Sequence, residues 1–341
     1  MIKVAINGFG RIGRAFLRMS HERENIEIVA INDLGSPESM AYLLRHDTVY
    51  GQSTFTVDQS EGKLIVDGRE IVLTSEKDPV NLPWGKLGID VVVESTGIFT
   101  SYEKASAHIT AGAKKVVITA PVKGDSANSD VMGETILIGA NEEKFGTCDI
   151  TSNASCTTNA ASPLIGILKD KLGIKKAVLN TVHAYTASQA LVDGPSKKDL
   201  REGRAAAQNI VPSTTGAAIA TTLAYPDLTN KFDGISIRVP VPVGSIVDVT
   251  FLAKRITTVA EVNDILKAAA TDPRWSRVFA VTKEPLVSSD IIGARFGAIA
   301  DLGMTKVVDG DLVKVLAWYD NEASYVHTLI EHVTETAKHL K

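Results

Sequence analysis

Cys156 is the residue whose type and neighbours most directly suggest chemistry. It stands in Ser152-Asn153-Ala154-Ser155-Cys156-Thr157-Thr158-Asn159, hemmed in by hydroxyl and amide side chains. The preceding Cys148-Asp149-Ile150-Thr151 reads as a short strand, and Leu164, Ile167 and Leu168 follow at helical spacing. A cysteine at that junction lies at or near a helix N-terminus, where unpaired N–H groups and the macrodipole favour an anion. The placement predicts a lowered pKa and a nucleophilic thiolate. A buried structural thiol is the commoner fate of a lone cysteine, but Ser and Thr flanks weigh against it here. His183 offers a partner, near the end of a strand read over Lys176–Tyr185. An imidazole within hydrogen-bond reach would keep the sulfur ionised and act as base. The alternative for His183, one of 7 histidines, is an ordinary partly buried ring.

A second constellation opens the chain. Ile2 to Ile6 reads as a strand of a covered sheet, followed by Asn7-Gly8-Phe9-Gly10-Arg11-Ile12-Gly13-Arg14. The G-x-G-x-x-G pattern alone is weak in a chain with 26 Gly. Its context is strong: a helix over Arg11 to about Arg23, a second strand over Ile26–Ile31, then Asp33 about 20 positions past the last glycine. Gly8 serves the tight turn, Gly10 the close approach of a pyrophosphate, and Gly13 helix–strand contact. The helix N-terminus would hold the phosphates. Asp33 would accept both ribose hydroxyls and repel a 2′-phosphate, favouring NAD over NADP; the alternative is an N-cap for a helix from Glu38. A thiol nucleophile beside a dinucleotide fold points to one reaction class. The thiolate adds to an aldehyde, hydride leaves for the nicotinamide, and an acceptor attacks the remaining thioester. Ser155, Thr157, Thr186, Thr215, Gly216 and Arg238 could bind phosphate as acceptor and as a substrate group. N-capping is the plainer job for the Ser and Thr residues, and an exposed strand charge for Arg238.

The elements that position these residues fall into two groups. Up to Cys156, strands alternate with helices: a hairpin over Lys63–Thr74 turning at Asp67-Gly68, strands over Val91–Gly97, Lys115–Thr119 and Glu134–Ala140, and a helix over Glu103–Gly112. That is a doubly wound parallel sheet. Thr96, Gly97 and Thr119 fall at its ligand-binding strand ends. Lys123 to Thr135 reads as a loop. Beyond Cys156 come a helix to about Leu172 and a long irregular segment, Ala187 to Gln208, with Lys197, Lys198, Arg201 and Arg204. An Ala-rich helix opens at Ser213-Thr214-Thr215-Gly216. Strands then dominate: Gly234–Val239, Ser245–Ala253, Phe296–Asp301 and a hairpin at Asp309-Gly310, with one helix over Val259–Ala270 and a last one over about Glu322–His339. This is an α+β unit on a large, mostly antiparallel sheet.

Composition bounds the rest. The 341 residues allow two domains, and 44% hydrophobic with 22% charged residues is ordinary globular usage. A net charge of −4 gives no field to recruit nucleic acid or an anionic membrane. Only 2 Cys exclude a disulfide scaffold and suggest a reducing compartment. The N-terminus enters a strand without a basic leader, and no apolar run would cross a bilayer. A soluble cytoplasmic protein is the expectation.

Taken together, Asn7–Arg14, Ser152–Asn159, His183, Asp193-Gly194-Pro195-Ser196, Ser213–Gly216 and Trp318-Tyr319-Asp320-Asn321-Glu322 resemble phosphorylating glyceraldehyde-3-phosphate dehydrogenase, in order over the whole chain. The resemblance implies Cys156 as nucleophile and His183 as base. It implies Thr186, Arg238 and Ser188 for the substrate phosphate, and Ser155, Thr157, Thr215 and Gly216 for inorganic phosphate. Arg11, Ile12, Asp33, Thr119 and Asn321 would hold NAD, with Asn321 on the carboxamide, and no metal is implied. The substrates would be glyceraldehyde 3-phosphate and inorganic phosphate; erythrose-4-phosphate dehydrogenase shares the constellation. The family is homotetrameric, with the loop over 187–208 against a neighbouring subunit. A nucleotide domain over 1–155 would be completed by 320–341, with the catalytic domain at 156–319. Ala160, Val243-Gly244 and Ala323-Ser324 depart from the usual family pattern, the second bearing on subunit contacts and the third on local fit near the nicotinamide.

Overall fold

The structure is a computed structural model that describes residues 1–122, 131–196 and 199–340. Lys197, Lys198 and most of the expected loop over 123–135 lie outside the described residues. The chain divides into two compact units, one of residues 1–136, 141–154 and 329–341, the other of 137–140 and 155–328.

The first unit runs β1 (Ile2–Asn7), α1 (Arg11–Ser20), β2 (Ile26–Asn32), α2 (Pro37–Arg45), a small ribbon of β3 (His46–Asp47) and β4 (Gly51–Gln52), and β5 (Val57–Ser60). It continues through β6 (Lys63–Val66), β7 (Arg69–Thr74), α3 (Trp84–Leu87), β8 (Val91–Glu94), α4 (Tyr102–Ala105), α5 (Ala107–Thr110), β9 (Lys115–Ile118), β10 (Gly133–Thr135) and β11 (Ile150–Ser152). The sheet order is β10-β11-β9-β8-β1-β2-β7-β6-β5. It is parallel from β10 to β7 and antiparallel only at the β5–β6–β7 edge. Valines and isoleucines of β1, β8 and β9 are buried on both faces, as parallel strands covered by helices must be.

Three local readings differ. The helix expected over Glu103–Gly112 is two short helices, because the Ser106 hydroxyl donates to the Glu103 carbonyl, the acceptor that the next helical turn needs. The strand expected over Glu134–Ala140 stops at Thr135. Residues 137–140 cluster with the second unit, and Gly139 sits at φ +80°, outside any strand. Asp33 is not a helix N-cap; Ser36 caps α2 through Ser39 N–H. The hairpin at Asp67-Gly68 is present, both residues at positive φ as a type I′ turn requires.

The second unit contains α6 (Cys156–Leu172), β12 (Ile174–Ala184), β13 (Val211–Thr214), α7 (Ala217–Ala224), β14 (Phe232–Val239), β15 (Ser245–Ala253) and α8 (Val259–Ala270). β16 (Phe279–Thr282), β17 (Ala298–Asp301), β18 (Lys306–Val308), β19 (Leu312–Tyr319) and α9 (Ala323–Ala337) follow, α9 ending among residues of the first unit. The sheet order is β13-β14-β12-β15-β19-β17-β16, with β18 on β19. It is mostly antiparallel; β12 with β14 and β16 with β17 are the parallel pairs. β13 and β16 had no clear signal in the sequence. α6 is buried along most of its length, and its apolar residues from Ala160 to Leu172 lie in this unit's core with Phe251, Trp275 and Phe279. That burial fixes where its first residue, Cys156, can sit.

Candidate functional site

After β11, the last strand of the first unit, the chain passes through Ala154 at φ +52° and enters α6 of the second unit. Ser155 caps the helix, its Oγ accepting the Thr158 N–H at 3.1 Å and lying 2.8 Å from Thr158 Oγ1. Cys156 is therefore the first helical residue, and its side chain keeps partial exposure. Along β12, residues 177, 179, 181 and 183 alternate inward, so Thr181 and His183 share the buried face. His183 Nε2 lies 3.3 Å from Cys156 Sγ.

Arg238 is the unexpected neighbour. β12 and β14 pair in parallel with His183 opposite Arg238. The guanidinium reaches across so that Nη1 is 2.5 Å from His183 Nδ1 and 3.2 Å from the Ala184 carbonyl. The plain alternative of an exposed strand charge is thus excluded. Thr157 and Thr181 are tied by Tyr319, whose buried hydroxyl is 2.9 Å from Thr157 Oγ1 and 2.7 Å from Thr181 Oγ1. The Tyr319 ring stands edge-on to the imidazole, centroids 5.9 Å apart.

These surroundings reverse one expectation. Burial pushes the Cys156 thiol up, and it outweighs the downward pull of Arg238, the Thr157 hydroxyl and the N–H groups of the first helical turn. Burial, and then the Arg238 charge, lower His183 to about 3, against a small upward pull from the Ala184 carbonyl. Both directions favour a thiol beside a neutral imidazole over a thiolate–imidazolium pair. The helix terminus is where the sequence put it, but its partial charge is smaller than the desolvation cost.

The other candidates of this unit are scattered over three loops. Thr186 and Ser188 hydroxyls lie 3.1 Å apart on the exposed turn after β12. Thr215 Oγ1 accepts the Ala217 N–H, and Gly216 caps α7 without a side chain and faces open space. Asn321 Oδ1 accepts from Gly244 N–H and Ser245 Oγ, both at 3.1 Å. Gly244 stands at φ +95°, where a Cβ would lie 2.4 Å from the Ser288 carbonyl oxygen. Ser324 Oγ accepts from Asp320 N–H and donates to the Ala294 carbonyl, so the departure at Ala323-Ser324 is held by its own hydrogen bonds.

In the first unit, the glycine turn has the shape a pyrophosphate needs. Gly8 is at φ +95°, and a Cβ on Gly13 would lie 2.2 Å from the Gly8 carbonyl oxygen. Gly10 faces open space and caps α1 with no side-chain bond, so the helix N-terminus is presented to a ligand. Arg11's guanidinium is ion-paired with Asp47. Asp33 braces the turn, accepting Phe9 N–H at 2.7 Å and Gly35 N–H at 2.8 Å. Thr96 binds the buried Glu94 carboxylate, Gly97 has φ +72°, and Thr119 Oγ1 donates to the Glu94 carbonyl. Sequence reading missed the network beneath: Trp84 Nε1 donates to His108 Nδ1 at 3.0 Å, and Glu94 Oε2 meets His108 Nε2 and Asn7 Nδ2 at 3.0 and 2.6 Å. It also missed Thr181, whose signal was its inward register two residues before His183.

A doubly wound parallel sheet with this glycine turn, and an α+β unit carrying a Cys/His pair, define an NAD-dependent oxidoreductase. Residues 2–102 match the NAD binding domain of glyceraldehyde 3-phosphate dehydrogenase, and residues 155–321 match its C-terminal domain. The chain is 46% identical over 342 residues to the glyceraldehyde-3-phosphate dehydrogenase of Zymomonas mobilis and 46% over 343 residues to that of Clostridium acetobutylicum, covering 99% of each chain. It is 45% identical over 332 residues to the Geobacillus stearothermophilus enzyme, covering 97% of this chain and 96% of the other. The chain belongs to the glyceraldehyde 3-phosphate dehydrogenase family, and NAD is its cofactor. Among the described residues, no helix is long and apolar enough to cross a membrane.

Proposed function

We propose that the chain oxidises glyceraldehyde 3-phosphate with NAD and inorganic phosphate, giving 1,3-bisphosphoglycerate and NADH. The observation that carries this reading is the 3.3 Å contact between Cys156 Sγ and His183 Nε2 at the start of α6. As sulfur adds to the aldehyde carbon, the S–H proton passes to the imidazole, which returns it to the carbonyl oxygen, and a hemithioacetal forms on Cys156. The imidazole, neutral because it is buried, then removes the hydroxyl proton of that adduct. NAD, when bound, would supply the hydride acceptor for that carbon. Inorganic phosphate attacks the thioester left on Cys156 and releases the acyl phosphate and the sulfur.

Thr186, Ser188 and Arg238 are assigned to the substrate phosphate, and Ser155, Thr157, Thr215 and Gly216 to inorganic phosphate. Ser155 and Thr157 hydroxyls already serve the helix cap and Tyr319, so they contribute through their backbone N–H groups. Gly8, Gly10, Arg11, Ile12, Gly13, Asp33, Thr96, Gly97 and Thr119 are assigned to NAD, with Asn321 on its carboxamide. We assign 1–155 with 320–341 to the nucleotide domain and 156–319 to the catalytic domain. A homotetramer is favoured by apolar side chains exposed in and beside the long loop: Leu191, Val192, Leu200 and Ile210. The cytoplasm is favoured by two unpaired thiols.

The test is NADH formation by purified protein with aldehyde, phosphate and NAD, run beside erythrose 4-phosphate. Cys156→Ser should abolish the rate. An unchanged rate in that variant, or no phosphate dependence, would remove this mechanism; light scattering reports the assembly.

A further inference from the structure

The last residues of four parallel strands stand side by side at one edge of the first unit's sheet: Thr74 on β7, Asn32 on β2, Asn7 on β1 and Glu94 on β8. Their side chains form one ladder with a fixed direction. Thr74 Oγ1 donates to Asn32 Oδ1 at 2.9 Å, Asn32 Nδ2 to Asn7 Oδ1 at 2.7 Å, and Asn7 Nδ2 to Glu94 Oε2 at 2.6 Å. His108 adds a branch. The Trp84 indole N–H can only donate, so His108 Nδ1 accepts it and the ring proton sits on Nε2, 3.0 Å from Glu94 Oε2. Glu94 Oε1 takes the Thr96 N–H, at 2.9 Å, and the Thr96 hydroxyl. Every donor runs to one carboxylate, and Asn7, Glu94 and His108 are no more than 2% exposed. Each rung also stands just before a residue of the glycine-turn edge: Asn7 precedes Gly8, Asn32 precedes Asp33, and Glu94 lies two positions before Thr96. A Cβ on Gly8 would lie 2.7 Å from the Thr96 backbone nitrogen, and Ser95 Oγ donates to the Gly8 carbonyl at 2.7 Å. The two turns meet backbone to backbone, so their spacing is set by what lies beneath them.

We propose that Glu94 is a positioning residue for NAD: held by Asn7, His108 and Thr96 at once, its carboxylate fixes the 95–97 turn against the glycine turn at the spacing the cofactor needs. This rests on the reading of these strand ends as the cofactor site. A carboxylate suits the place because all four of its partners donate. An amide of the same shape must turn its NH2 against one side. Facing Asn7 and His108, it would oppose two donors; facing Thr96, it opposes only the N–H, because the hydroxyl can rotate and accept. The amide therefore faces Thr96 and releases the turn, while the ladder below it stays intact.

Glu94→Gln is the test, read by NAD titration and steady-state rates on the full-length protein. Loss of one charge-assisted hydrogen bond at the turn should raise Kd and KM for NAD about tenfold, with kcat at saturating NAD and KM for glyceraldehyde 3-phosphate unchanged. A residue that only held the fold together would lower the melting temperature without that split. Combining Asn7→Asp with Glu94→Gln moves the charge one rung. The carboxylate then accepts from Asn32, from the amide and from His108 Nε2, 3.4 Å from that position, and the amide oxygen returns to Thr96. NAD affinity should recover in the double variant. A double variant as weak as the single one, or a single variant with wild-type KM for NAD, would overturn the clamp. Where neither variant folds, wild type decides. In ¹⁵N-histidine-labelled protein the His108 ring, assigned through its contact with the Trp84 indole proton, should carry its proton on Nε2 and shift as NAD saturates; an Nδ1–H ring or an unmoved signal would overturn the clamp equally. Gly13→Ala separates the two levels. If it and Glu94→Gln both bind NAD as wild type does, the strand-end reading itself is wrong; if only Gly13→Ala loses NAD, the clamp alone is wrong.

Discussion

Tyr319→Phe removes one oxygen from the middle of a directional chain of hydroxyls. Thr181 Oγ1 donates to the Ile246 carbonyl at 3.3 Å. A hydroxyl has one proton, so Thr181 must accept from Tyr319 at 2.7 Å, and Tyr319 in turn accepts from Thr157 at 2.9 Å. The Thr157 proton is thereby shared toward Tyr319, which weakens the pull that its hydroxyl exerts on Cys156 Sγ, 4.0 Å from its oxygen. Phenylalanine fits the same space, since Tyr319 is fully buried, but two hydrogen bonds vanish and Thr157 loses its acceptor. Leaving buried polar groups in that state costs about 1–3 kcal/mol. At about 2–4 °C per kcal/mol for a unit of this size, melting should fall by roughly 2–12 °C. The chemical effect has the opposite sense. Freed from Tyr319, the Thr157 hydroxyl can turn toward the sulfur and stabilise its anion, so the thiol pKa falls. Iodoacetamide should then alkylate Cys156 faster at neutral pH, in a variant whose circular dichroism is that of wild type. A folded variant with an unchanged or slower alkylation profile would refute the assigned direction of the chain.

Asp33→Ala should raise the NADP/NAD rate ratio and weaken NAD, because it removes the charge that repels a 2′-phosphate and the acceptor for Phe9 N–H; initial rates with both cofactors decide, and a wild type already indifferent to the two would sink the argument. Gly13→Ala places a methyl 2.2 Å from the Gly8 carbonyl oxygen, so NAD titration should show binding lost while Cys156 alkylation continues. His332, buried against Thr151 Oγ1, is lowered to about 3 from 6.5, so below pH 6.5 the unfolded chain binds a proton that the folded chain refuses until about pH 3. Stability is complete above pH 6.5 and declines with acid by roughly 2 kcal/mol per such histidine between pH 6.5 and 5. Urea midpoints of His332→Gln should therefore decline less steeply over that range than those of wild type, whatever their starting level; parallel slopes would contradict the assignment.

Local periodicity and glycine spacing were enough to read most of this protein from its sequence. Strict apolar runs marked β1, β8 and β9, the Asp-Gly pairs marked both hairpins, and α6 and β15 begin and end where their patterns do, because each signal depends only on near neighbours along the chain. Cys156 at a helix start and His183 on a following strand were legible for the same reason. Helix breaks set by a single side-chain bond, as at Ser106, were not.

What the tertiary structure alone decided is register and burial. The parallel pairing of β12 with β14 puts Arg238 opposite His183, and no residue-level pattern fixes that alignment between strands some fifty positions apart. The fold of β19 back across β15 brings Tyr319 to Thr157 and Thr181. The resting protonation of the thiol follows from the same cause: a helix terminus is local and readable, whereas desolvation depends on every segment that closes over the site, and here it outweighs the terminus.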